Sequence, residues 1–131
     1  MKHFATLIVL VLMVSTLTSG QMTESGRSFS DSDIRNLNNC IASENTGVKE
    51  WGIYLAGKYK ISESVEALTE TYTGSNSPSL KKRVLFSLFQ INTEKSRAAI
   101  AAITVHEESV SLRKLCQAMN SQSLNSYASG M

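Results

Sequence analysis

Three short basic phrases are the part of this chain best placed to act on a partner. Gly47-Val48-Lys49-Glu50, Ser79-Leu80-Lys81-Lys82 and Ser111-Leu112-Arg113-Lys114 each read small, apolar, basic, charged, and they stand 32 residues apart with no insertion between them. Lys49, Lys81 and Arg113 share one phase of the repeat; Glu50, Lys82 and Lys114 share the next; Arg83 adjoins them. Five of these six equivalent side chains are basic, so a stack that aligns them presents a basic edge. Such an edge suits an acidic segment of a protein partner. It would steer and orient more than hold, because an exposed charge pair contributes only about 0–1 kcal/mol. The competing reading is a solvated face with no partner. Trp51, beside the first phrase with Tyr54 and Tyr59 near it, is the candidate anchor if it faces solvent, since Trp and Tyr dominate interface energetics. Its spacing reads first as core. Phe86 and Phe89 pose the same alternative.

Other chemistries find little support in the residue types. His106-Glu107-Glu108 could hold a metal only if three or four ligands converged, and adjacent residues on a turn diverge. Cys40, Cys116 and His106 make no nucleophile–base pairing that spacing alone can support. The seven glycines are scattered and form no phosphate-cradling loop. We therefore expect no catalytic residue, no metal, no cofactor and no enzymatic activity.

A constant period of this size implies stacked helical hairpins, each unit touching only its neighbours. Six helices fit the pattern. The first, over 33–43, buries Ile34, Leu37, Cys40 and Ile41. The second, over 48–59, turns Val48, Gly52, Leu55, Ala56 and Tyr59 inward. The third covers 62–72 and buries Val65, Leu68 and Thr69 or Tyr72. The fourth starts at Pro78 with Ser77 as its cap and buries Leu80, Val84, Leu88 and Ile91. The fifth, over 94–105, carries Ala98, Ala99, Ile100 and Ile103. The sixth, over 109–120, buries Leu112, Leu115, Cys116 and Met119. No segment shows the sustained alternation of a half-buried strand. Val48, Leu80 and Leu112 should occupy matching seats in one hydrophobic spine. Cys40 and Cys116 are an even pair in a chain that reads as exported, which invites a disulfide. The register argues against it. Helices about 8–10 Å apart place the first and last roughly 20 Å from each other, and a disulfide needs Cα atoms within about 7 Å. We read two buried thiols.

The N-terminus is a separate device. Lys2 and His3 precede a nearly continuous apolar run over 4–17, and Thr18-Ser19-Gly20 follows. That order matches a secretory signal peptide, with cleavage after Gly20. The apolar run falls short of the roughly 20 residues a stable spanning helix needs, so no stable membrane insertion is expected once the signal is removed; a retained anchor is the alternative. The organisation is then a signal peptide over 1–20, a flexible leader over 21–31, a repeat domain over 32–120 and a polar tail over 121–131. Loss of Lys2 with the signal leaves twelve basic against eleven acidic residues, which is no nucleic-acid composition. The charge is split: residues 21–80 carry eight acids and five bases, residues 81–131 three acids and seven bases. The expected location is extracytoplasmic, in the periplasm, on the envelope or secreted, in a bacterium.

The chain resembles the HEAT-like repeat family, in the short-repeat form also found in phycobilisome lyase-type proteins. The resemblance lies in Leu80-Lys81-Lys82-Arg83 as the apolar-then-basic opening of a second helix, Leu88-Phe89-Gln90-Ile91-Asn92 as its end and turn, and Ala98-Ala99-Ile100 as the next small-residue helix. Leu55-Ala56-Gly57-Lys58-Tyr59 and Val65-Glu66-Ala67-Leu68 repeat it one period earlier. The acidic residue usual before the opening is Gly47, Ser79 and Ser111 here, and the turn glycine is Lys60 and Asn92. The resemblance implies an all-α fold, a short right-handed α-α superhelix of three hairpins. It implies a protein that binds other proteins and sometimes forms part of a larger enzyme. The expected function is a non-enzymatic protein-interaction or scaffold module. The alternatives are a lyase-like accessory subunit with a ligand in its concave groove, and a self-associating structural module, since uncapped repeat ends favour a homo-oligomer.

Overall fold

Helices in this chain begin where a short polar side chain takes over amides that a first turn leaves unsatisfied. In the computed structural model, which describes residues 28–130, Ser30 caps α1 (Asp31–Ile41) and Asp33 reaches back to the Ser30 N–H at 3.0 Å. Asn45 caps α2 (Thr46–Lys58), Ser77 caps α4 (Pro78–Ile91), Thr93 caps α5 (Glu94–His106) and Ser109 caps α6 (Val110–Ser129). α3 (Val65–Thr73) differs: the chain enters it through one 3₁₀ turn, Ser62–Ser64, with no side-chain cap. The described residues are thus all-helical, with six α-helices and no strand.

The period of 32 is written into the loops as hydrogen bonds. The Val48 N–H donates to Asn45 Oδ1 at 3.1 Å, the Leu80 N–H to Ser77 Oγ at 3.3 Å and the Leu112 N–H to Ser109 Oγ at 3.5 Å. Two residues before each cap a second side chain accepts the cap's own amide. Ser43 Oγ takes the Asn45 N–H at 3.1 Å, Ser75 Oγ the Ser77 N–H at 3.0 Å and Glu107 Oε1 the Ser109 N–H at 2.9 Å. The turns leaving α2 and α4 match as well. Lys60 and Asn92, one period apart, are the two non-glycine residues with left-handed backbone among those described, at φ 53° and 52°. These are seats that glycine would occupy without strain.

Packing follows chain order. Sequence neighbours pair as α1 with α2, α3 with α4, α4 with α5 and α5 with α6, and alternate helices also touch: α1 on α3, α3 on α5, α2 on α4, α4 on α6. The most extensive of these contacts is α2 against α4. Gly57 makes it close, and Gly52 does the same for α1 against α2. A Cβ on Gly57 would stand 2.9 Å from Ser87 Cα, and one on Gly52 would stand 2.9 Å from the Ile41 backbone nitrogen in α1. Ser87 adds a buried hydrogen bond to the Ile53 carbonyl at 2.8 Å. Between α1 and the entry to α3, the buried Ser64 hydroxyl donates to Asn38 Oδ1 at 2.7 Å. The core runs through all six helices, from Ile41 and Ile53 through Leu68, Leu85 and Leu88 to Ile100, Leu112 and Cys116.

Several expectations change. In α2 the inward residues are Gly52, Ile53, Ala56 and Gly57, not Val48 and Leu55. Trp51 is not core; it is 60 % exposed. The cause is the pair of glycines, which draw the α1 and α4 backbones onto their own side of α2 and leave Trp51 outside. Val48, Leu80 and Leu112 share the same capped first-turn position, yet Val48 is 42 % exposed, Leu80 half-buried and Leu112 2 % exposed. Their seats match locally and fill progressively toward the C-terminal side. Cys40 is half-buried rather than buried, and both cysteines are free thiols. The last helix continues to Ser129 instead of ending near residue 120. Ser121, Ser123, Ser126 and Ser129 each bond back to a carbonyl three or four residues earlier, so the polar segment carries its hydroxyls along the helix. The signal peptide and most of the leader lie outside the described residues.

Candidate functional site

Helical spacing puts Glu50 or Trp51, Tyr54 and Lys58 on one side of α2, and Arg83, Phe86 and Gln90 on the corresponding side of α4. These are equivalent positions of the repeat, and the structure makes one face of them. The Trp51 and Tyr54 rings stack at 5.3 Å between centroids with 27° between planes. Tyr54 is 47 % exposed and Phe86 53 %. Arg83 Nε meets Glu50 Oε1 at 3.5 Å across the two helices. Glu50, Tyr54, Arg83, Phe86 and Gln90 line a shallow cavity of about 230 Å³. Lys58 Nζ lies 5.6 Å from the Tyr54 ring and 5.7 Å from the Tyr59 ring, a cation over aromatic faces. A larger cavity of about 730 Å³ continues from Tyr54 and Lys58 past Gln90 to Gln122 and Ser126 on α6. Three apolar rings at adjacent seats, unburied by the fold and rimmed by cations, form a surface that can lose water to a partner.

The basic ladder divides. Lys82 and Lys114 are exposed, while Lys49, Lys81 and Arg113 are half-buried. Arg83 is held by Glu50, and Arg113 donates to the Glu108 carbonyl at 3.5 Å. Lys81 is turned inward, with Nζ 3.5 Å from Glu107 Oε2 and 4.8 Å from the centre of the Tyr72 ring. A uniform, solvent-facing row was the expectation; the correction is that one rung is a structural ion pair and two others have partners. Lys82 and Lys114 are the rungs left to meet an acidic segment.

The Lys81 partners form a cluster that spacing did not reveal. Glu107, at the C-cap of α5, is buried. It accepts from the Tyr72 hydroxyl, from the Ser109 N–H and from Lys81. Burial pushes its carboxyl up, and those three donors outweigh that, so the group lies below the ordinary glutamate range. Burial, and then the carboxylate it donates to, drive the Tyr72 phenol far above its ordinary value. The neighbouring Cys116 thiol is likewise raised, by burial first and by the Glu107 charge, against an opposing hydrogen bond with Thr104. A general acid or base works best with its pKa near the operating pH. Tyr72 and Glu107 are displaced in opposite directions away from neutrality. The cluster is a lock that ties α3, α4 and the α5–α6 loop together. It floors a crevice of about 370 Å³ that Thr69, His106 and Glu108 also line. One period earlier an equivalent crevice of about 480 Å³ surrounds Lys49, with Ser75 in the seat of Glu107. Glu107 is legible in sequence only as the acidic occupant of a seat that Ser43 and Ser75 fill elsewhere.

Among the described residues no group of three or more His, Cys, Asp or Glu side chains could hold a metal ion. Nor is any described helix long and apolar enough to cross a membrane. No protein-family model, curated protein or solved structure matches the chain.

Proposed function

We propose that this protein is an exported HEAT-like module, a right-handed superhelix of three helical hairpins, whose α2–α4 face binds a protein partner bearing an acidic segment. The observation that carries this reading is the exposure of Trp51, Tyr54 and Phe86 side by side on neighbouring helices. Unburied aromatic rings are costly to leave in water and are the residue types that anchor interfaces. Arg83 lies among them and Lys82 next to it, which favours an acidic partner through steering. The alternate contacts of odd helices with odd and even with even support the hairpin stack. Export rests on the N-terminal order of charge, apolar run and small residues. No cofactor is needed, and the role is a scaffold or adaptor rather than an enzyme.

The test is site-specific photocrosslinking in the native cell. A benzophenone side chain at position 51 or 86 should capture the same acidic partner, and one at Lys95, on α5, should not. Charge reversal at Lys82 and Lys114 should reduce the capture while helical content is unchanged. Capture from position 95 alone, or none from 51 and 86, would overturn the reading.

A further inference from the structure

Position 58 of the chain recurs at 90 and 122, one period apart each time, and the residues there are Lys58, Gln90 and Gln122. All three line the 730 Å³ cavity that crosses α2, α4 and α6. Gln90 and Gln122 are exposed, and among the described residues neither amide has a hydrogen-bond partner. The serines beside them, Ser123 and Ser126, already donate within α6. Among the described residues no acidic side chain lines the cavity, while Lys58 and Lys60 do. It is therefore a cationic trough with two carboxamides one sequence period apart, that of Gln90 resting its oxygen against Gly57.

That interval selects a ligand. Packed helices are commonly about 8–10 Å apart, which is the spacing expected between rungs on successive packed helices. A polypeptide in the polyproline II conformation rises about 3.1 Å per residue with three residues per turn, and it makes no internal hydrogen bonds. Its repeat is then about 9 Å, and every third residue returns to the same side with its backbone N–H and C=O unpaired. A glutamine carboxamide both donates and accepts, so it can pair with such a backbone whatever its sequence. We infer that the trough binds an extended, acidic peptide segment of about seven residues laid across α2, α4 and α6. Gln90 and Gln122 grip its backbone three residues apart, and Lys58 takes a carboxylate three residues further along. Tyr54, which lines the trough at its α2 end and stacks on Trp51, receives an apolar side chain of the same segment. This deepens the proposed function and rests on the reading of the α2–α4 face as a protein-binding surface.

The probe is a displayed library of random 12-residue peptides, panned on the full chain. Recovered peptides should carry an acidic residue toward one end of the bound segment and lack helical periodicity. Their affinity should fall about tenfold or more in Gln90→Ala/Gln122→Ala, whose residues are exposed and should leave helical content intact. Lys58→Glu should turn the recovered sequences from acidic to basic. Failure to enrich any peptide, or binding indifferent to both glutamine substitutions, would overturn the ladder. So would binding of an oligogalacturonate that displaces the peptides and shares their dependence on Gln90 and Gln122, since the trough would then be a glycan site. Partner crosslinks from positions 51 and 86 that persist in the glutamine double variant would leave the aromatic face standing and this inference refuted.

Discussion

Glu107 answers three donors from three parts of the chain: the Tyr72 hydroxyl in α3, Lys81 in α4 and the Ser109 amide opening α6. Glu107→Ala would leave a buried phenol and a half-buried ammonium without their acceptor. Orphaned groups of this kind cost about 2–3 kcal/mol, and 1 kcal/mol is about 4–8 °C in a domain of this size. We expect a Tm lower by roughly 10–20 °C. The carboxyl ionises more readily in the folded chain than in the unfolded one, where its pKa is about 4.3. Its contribution is therefore complete above about pH 4.3 and is lost as pH falls through the lower, folded value. Urea midpoints measured downward from pH 6 should show that loss in the wild type and much less of it in Glu107→Gln. At the alkaline end the folded state keeps protons on Cys116 and Tyr72 that the unfolded chain releases near about pH 8.5 and 10, so stability should decline above those values. Lys60 carries a different strain. An L-residue with a side chain in left-handed backbone loses about 1 kcal/mol that glycine does not. Lys60→Gly should raise the urea midpoint accordingly, and Asn92→Gly should raise it less, because Asn tolerates this conformation.

At the scale of the element, α2 is set by its glycines. An Ala normally strengthens a helix over Gly by up to about 1 kcal/mol. At Gly52 the added methyl meets the Ile41 backbone at 2.9 Å, and at Gly57 it meets Ser87 Cα at 2.9 Å. Backbone does not yield as a side-chain tip does, and forced overpacking costs about 1–3 kcal/mol. Gly52→Ala and Gly57→Ala should both lower stability. Gly47→Ala meets nothing closer than Asn45 Oδ1 at 3.4 Å and should raise it; thermal unfolding of the three variants gives the signs. The same helix marks the limit of the sequence as a guide. Six helices were legible from their apolar period, and the starts of α4, α5 and α6 from the Ser, Thr and Pro that punctuate the chain there; α1 and α2 each begin two residues earlier than expected, and α3 begins at Val65 behind a 3₁₀ turn that no side chain caps. The inner face of α2 was not, because Val48, Trp51, Ile53, Tyr54 and Leu55 surround that helix with apolar residues and more than one face satisfies a 3.6-residue period. The choice was made by close approach at two glycines, which periodicity does not register. The basic ladder was legible as spacing, while the pairing of Lys81 with Glu107, 26 residues on, depends on how α4 meets the α5–α6 loop.

For the whole molecule the governing feature is the identical loop at 43–48, 75–80 and 107–112, each with one side chain on the cap's amide and the cap on the amide three residues ahead. If the proposed hairpin stack holds, stability sums over units and their junctions. A second copy of residues 61–92 inserted after Asn92 should therefore fold, with more ellipticity at 222 nm and a higher urea midpoint. A copy lacking one residue from the middle of α3 should lose both gains, because one residue rotates everything downstream on that helix by about 100°. The junctions share the cap and the amide bonds behind it, and the third adds the Glu107 contacts to Tyr72 and Lys81. Because the cap bonds recur every 32 residues, a whole-period insertion keeps every helix start in register, whereas any other length breaks it.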